Sequence, residues 1–249
     1  MSDQPVYESI GQDYASSRQP EPRWAEAIER AIGDAQTILN VGAGAGSYEP
    51  ADRLVMAVEP SPTMIAQRPA TAAPVVRAFA EDLPFDDHSF DVAMAILTTH
   101  HWLDAERGLK EMKRVAARQI VLTWDPDQVA EFWLIKDYLP EIAEREKGLP
   151  TMDAALAVLD DAVVIPLPVP HNCQDGALGA FWRRPEGYLD PTIRGAMSGI
   201  ALTEPSLVEV AMVRLAADLA SGAWAQRNTD ILDAEELDLG YRLLATPPA

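Results

Sequence analysis

The chain holds a single cysteine, Cys173, in 249 residues, so it cannot form an internal disulfide. A stapled secreted scaffold is thereby excluded, and a reducing, cytoplasmic setting is expected. Positive charge is also scarce. Lys and Arg number 20 against 39 Asp and Glu, a net charge of −19, and no basic stripe offsets it locally. Binding nucleic acid means neutralising phosphates with cations, so a DNA or RNA partner is not expected, and a small molecule is. No apolar run approaches the eighteen or so residues of a membrane span. The opening MSDQPVYESI has neither a basic segment nor an apolar core, so no secretory signal is expected.

What is present starts at ILNVGAGAGSYEP, residues 38–50. Ile38, Leu39 and Val41 suit a strand covered on both faces, as in a parallel sheet. Gly42, Gly44 and Gly46 then allow a sharp turn and a close backbone approach to a ligand. A second strand, Leu54 to Val58, ends in Glu59, a carboxylate suited to gripping the two hydroxyls of a ribose. The pattern describes a nucleoside-cofactor site. The dinucleotide fingerprint requires a third glycine at position 47, which is Ser47, and Pro50 displaces any following helix. The lysine of a P-loop is absent too. A nucleoside without a phosphate chain fits best, leaving an NAD(P)-linked oxidoreductase as the alternative.

The remaining pattern alternates strands and helices. An amphipathic helix over 22–32 carries Trp24, Ala27, Ile28, Ala31 and Ile32 on one face. Ser61-Pro62 starts a helix running toward Arg68, the serine capping and the proline in the first turn. Strands are expected at 75–79, 90–97 and 119–124, with a helix from a cap at Asp104 through Arg118. Residues 126–138 read as one helix and 207–220 as another. The three prolines of VVIPLPVP, residues 163–170, confine that segment to a sheet edge or rim. An edge strand is expected near 239–245. The alternation implies an α/β fold, a doubly wound, mostly parallel Rossmann-like sheet with helices on both faces. One domain is expected, with residues 1–125 as its cofactor-binding core and 126–249 as a lid or insertion after the fifth strand plus the C-terminal completion. Ligands of such sheets lie beyond the carboxyl ends of the strands, near Gly42, Glu59, Phe79 and Leu97.

Four blocks, VYESIGQDYASSR (6–18), ILNVGAGAGSYEP (38–50), MAVEPSPTMIAQR (56–68) and AEDLPFDDHSFDVAMAILTTHHW (80–102), together resemble the class I S-adenosylmethionine-dependent methyltransferases of the type 11, ubiquinone-biosynthesis-like group. The resemblance implies a seven-stranded methyltransferase fold, S-adenosylmethionine as cofactor, and methyl transfer to a small acceptor by in-line displacement. It also implies cofactor roles for Gly42, Gly44, Glu59, Pro60 and Met64. After the third strand, Ala80 and Glu81 would hold the adenine, with Glu81 taking its exocyclic amine. The acid common there falls at Phe79, which could pack on the ring instead. Leu97 and Thr98 would border the methionine chain. Tyr14 and Arg18, four residues apart on one helical face, would close over the sulfonium and meet the cofactor carboxylate. Asn40 and Ala43 depart from the common D-x-G-C-G loop, so a non-catalytic S-adenosylmethionine-binding protein is a further alternative.

His100 and His101 follow the fourth strand at the mouth of the expected pocket. Imidazole titrates near neutrality, so either could be a substrate contact or a base. His171 and Cys173 form an H-x-C pair, too few ligands for zinc, and no metal is expected. Trp102, Trp124, Trp133 and Trp182 read as core or pocket wall rather than as a cage for a methylammonium group.

Overall fold

Side chains alternate so regularly along the central strands that the sheet has two buried faces. On β1 (Thr37–Val41) and β4 (Phe90–Ile96), Ile38, Val92 and Met94 enter one core, while Leu39, Val41, Ala93 and Ala95 enter the other. On β5 (Ala116–Trp124), Ile120 and Leu122 join the first core and Val121 the second. A computed structural model describes residues 19–149 and 152–248. The strand order is β3-β2-β1-β4-β5-β9-β6, where β2 is Leu54–Val58, β3 Val75–Val76, β6 Val163–Pro166 and β9 Tyr241–Ala245. The pairings among β1 to β5 are parallel, and β9 runs antiparallel to both β5 and β6. A separate two-stranded ribbon pairs β7 (Val169–Pro170) with β8 (Glu236–Leu237).

Helix α1 (Pro22–Ile32) packs Trp24, Ala27, Ile28 and Ile32 into the first core, on the face expected from its spacing. Its last carbonyls, Ala31 O and Ile32 O, accept from the Arg118 guanidinium at 3.2 and 2.6 Å. Cations complement a helix C-terminus in this way. Helix α2 (Pro62–Ala66) begins at the expected cap, where Ser61 Oγ accepts from Met64 N at 3.2 Å. On the opposite face, α3 (Ala105–Val115) buries Leu109, Met112 and Val115 and packs with α7 (Met152–Val158).

Several elements differ from the sequence reading. Strand β3 ends at Val76, and the Phe79 side chain is exposed. Helix α3 stops at Val115 because residues 116–118 are drawn into β5, where Ala116 pairs with Phe90 and Arg118 with Val92. The helix expected over 126–138 is two, α4 (Pro126–Ala130) and α5 (Trp133–Tyr138), broken by an extended Phe132. The break turns both Phe132 and Trp133 inward, 5.2 Å apart. The C-terminal strand is interior rather than an edge, since β6 lies outside it. The proline-rich segment does form that edge. Beyond α5 come α6 (Pro140–Glu146), α8 (Pro191–Gly195), α9 (Ser198–Ala201), α10 (Pro205–Ser221) and α11 (Ala223–Arg227). Among the described residues, no helix is long and apolar enough to cross a membrane.

Candidate cofactor and acceptor site

The carboxyl ends of β1, β2 and β4 converge on the glycine loop. Gly42 N and Ala43 N both donate to Val58 O, at 2.9 and 3.0 Å, so the loop is folded across the end of β2. Gly42 has φ 69°, and a Cβ built there would lie 2.2 Å from Thr98 Oγ1. No side chain fits between these two strand ends. Gly44, at φ 52°, packs on Met64, whose Cε would be 3.3 Å from a Cβ. Thus Gly42, Gly44, Met64 and Thr98 are neighbours in the fold although far apart in the chain.

Glu59 is 6% exposed and faces this loop. Its Oε2 accepts from Gly44 N at 2.8 Å and its Oε1 from Ser61 N at 2.9 Å. These two bonds fix the orientation of the carboxylate against the loop. Pro60 follows it, its carbonyl accepting from Arg77 Nε at 3.1 Å. On the far side, Ala80 and Glu81 are buried, and Glu81 Oε1 accepts from Asp104 N at 3.0 Å. That bond ties Glu81 to the start of α3. Tyr14 and Arg18 lie outside the described residues.

A second layer, invisible to motif reading, holds the loop from behind. Arg68 donates from Nη2 to Glu49 Oε1 and Oε2 at 2.7 and 2.9 Å, and from Nη1 to Gly44 O at 3.1 Å. Asn40 Nδ2 donates to the same Glu49 Oε1 at 3.1 Å. The amide at position 40 therefore answers a carboxylate nine residues on. Tyr48, at φ 63°, receives Glu21 N at 3.0 Å on its hydroxyl and donates to Asp175 Oδ2 at 2.7 Å. The loop is thereby joined to the segment after β7.

Strand β4 ends in strain. Leu97 sits at φ 52°, a conformation costing about 1–3 kcal/mol for a side-chain-bearing residue. It turns the chain into the short helix Thr99–His101. The His100 ring lies 3.7 Å from that of His101 and 4.5 Å from that of Trp124. Leu97, His100, Trp124, Glu146, Met197 and Tyr241 line a cavity of about 60 Å³; His101 is not part of its wall. The cavity adjoins the loop through the Leu97–Thr98 peptide, since Thr98 packs on Gly42. Glu146 went unread in the sequence because EIAERE looks like a solvated charge run. Its signal was the spacing, four residues after the buried Ile142 on α6.

Residues 39–120 match the family model described as "Methyltransferase domain". A provisionally assigned methyltransferase from an antibiotic biosynthesis pathway of Anabaena variabilis is 31% identical, with a TM-score of 0.83 over 93% of this chain and 99% of that one. The chain belongs to the class I S-adenosylmethionine-dependent methyltransferases. The enzyme's cofactor is S-adenosylmethionine, and the oxidoreductase alternative falls with that assignment. Two further structures share the methyltransferase's fold. A provisionally assigned sarcosine dimethylglycine methyltransferase from Galdieria sulphuraria is 13% identical, with a TM-score of 0.51 over 90% of this chain and 84% of that one. A methyltransferase from Thermotoga maritima is 22% identical, at 0.50 over 64% and 81%.

Elsewhere, His171 Nδ1 lies 3.3 Å from Glu235 Oε2, while Cys173 is buried with its thiol toward Asp175 O. Burial, aided by the Asp175 and Glu21 charges, pushes that thiol up to about 12. Among the described residues no group of three or more His, Cys, Asp or Glu could hold a metal.

Proposed function

We propose that the methyltransferase acts on a small molecule, with the adenosyl cofactor lying across Gly42 and Gly44 and its ribose hydroxyls on Glu59. One observation carries this reading. A buried carboxylate is fixed by two backbone N–H groups directly beside a loop in which Thr98 leaves no room for a side chain at Gly42. Ala80 and Glu81 are assigned to the adenine end, and Pro60 and Met64 to the floor beside Glu59. Leu97 and Thr98 border the methionine chain. Tyr14 and Arg18 keep the roles implied by the resemblance, closing over the sulfonium and meeting the carboxylate. The bound cofactor supplies an activated methyl group with its own leaving group.

The protein's task is then to align the acceptor and exclude water. Orientation of this kind can supply up to about 7–11 kcal/mol of the barrier. His100, which lines the cavity, is the histidine we assign to the acceptor, as contact or base; His101 packs against its ring. A small acceptor is favoured by the size of the cavity and by the acidic surface, which repels nucleic acid. The assignment of the Anabaena relative to an antibiotic biosynthesis pathway points the same way. The lone buried thiol suits a cytoplasmic enzyme. Calorimetric titration of S-adenosylhomocysteine into wild type and Glu59→Ala tests the site. Micromolar binding by wild type and a loss of at least ten-fold in the variant are expected; equal affinities would overturn the placement.

A further inference from the structure

Glu146 is 7% exposed and opens onto the apolar cavity beside His100. Burial disfavours a carboxylate here, and outweighs the Arg145 charge and Trp124, which favour it. It closes the C-terminal end of α6, where the helix dipole is negative. The neighbouring cation is engaged elsewhere: Arg145 donates to Gly199 O at 2.7 Å and to Thr203 Oγ1 at 3.1 Å. Trp124 Nε1 is turned toward the carboxyl but is buried without a hydrogen bond of ordinary geometry. The other walls include Leu97, Val129, Leu178 and Met197. Burial raises the Glu146 carboxyl to about 7. A buried acid in a cleft, set among apolar walls, is a candidate functional group, because keeping it there costs stability.

We infer that Glu146 is the recognition element of the acceptor site, and that the acceptor is a small amine whose apolar body fills this cavity and whose N–H groups donate to the Glu146 carboxylate. This rests on the methyl-transfer site just assigned, which the cavity adjoins at Leu97 and Thr98. A cation cancels the buried charge, whereas a hydroxyl would leave it in place. The acidic surface also draws cations toward the protein. About 60 Å³ of this kind of space holds a few waters or one short apolar chain. One proton passing from the ammonium to Glu146 leaves a neutral amine beside a neutral carboxylic acid, with the nitrogen lone pair available. The N–C bond then forms as the S–C bond breaks, and the positive charge moves from sulfur to nitrogen.

Butylamine, 1-butanol and butyrate are the probes, titrated into wild type and Glu146→Gln in the presence of S-adenosylhomocysteine. Wild type should bind butylamine at least ten-fold more tightly than butanol, and the variant should lose that preference while holding S-adenosylhomocysteine unchanged. The ¹³C carboxyl resonance of Glu146 in wild type should also shift with butylamine. Equal binding of amine and alcohol, an undiminished preference in the variant, or an unmoved resonance would each overturn the inference. Loss of S-adenosylhomocysteine binding by wild type would instead overturn the cofactor placement, leaving the amine readout of the cavity to stand alone.

Discussion

Arg68 and Glu49 form an ion pair at 2.7 Å in which the two side chains are only 5% and 7% exposed. The same guanidinium also holds Gly44 O and Ala73 O. The glycine loop is therefore clamped from beneath by a buried ion pair.

Removing one partner should leave the other charge buried and uncompensated. Arg68→Ala is expected to cost about 3–5 kcal/mol in stability. The denaturant midpoint, read at unchanged slope, checks this. A smaller change, below about 1 kcal/mol, would mean that water replaces the guanidinium and the clamp is dispensable.

Gly42→Ala should be far worse than an ordinary glycine substitution. Its Cβ would collide with Thr98, and the positive φ adds about 1–2 kcal/mol for any L-residue. Gly195→Ala is the control, because nothing lies within 4 Å of its Cβ. The control should fall within about 1 kcal/mol of wild type. Thermal unfolding and S-adenosylhomocysteine affinity, measured on both variants, should separate them in the same direction.

These two sites show what was readable in the chain. Glycine spacing, the acid after the second strand and the apolar runs depend on local rules, so α1, β2 and the loop were legible residue by residue. Arg68, Glu49 and Asp175 were not, because their partners lie in other elements and no spacing rule joins them. The placement of β9 was half-legible. Leu243 and Leu244 are adjacent and both fully buried, the mark of a strand covered on both faces, yet its neighbours come from β5 and β6. Glu146 was masked by the charged residues around it.

Glu146 should also shape the pH dependence of stability. Its folded value, about 7, lies above the ordinary 4.5, so the folded state holds a proton that the unfolded state has released across that interval. Stability should fall as pH rises from about 4.5 to 7, then level off, by on the order of 3 kcal/mol. The groups facing it include His100 and Tyr241 across the cavity and Arg145 beside it, the last opposing the shift. Glu146→Gln should flatten that part of the curve. An unaltered slope in urea titrations between these pH values would place the effect elsewhere.

Tyr48→Phe removes one hydroxyl from two buried partners. Glu21 N loses its acceptor and Asp175 Oδ2 loses its donor. A loss of about 1–3 kcal/mol is expected, with little change in packing volume. Comparing it with Asp175→Asn in a double-mutant cycle would read their coupling, and additive effects would show that the loop and the 170s segment are energetically separate.

The position of β9 sets a timetable for folding. Ile120 on β5 waits for Ala245 on β9, and Val163 on β6 waits for the same residue. Strands β1 to β5 can assemble first, but β5 keeps an unpaired edge until the distant β9 is available to pair with it. Exposed strand edges recruit other chains, and distant pairings form slowly. The folding chain therefore passes through a stage with a complete glycine loop and an open sheet edge, the stage most exposed to pairing with other chains.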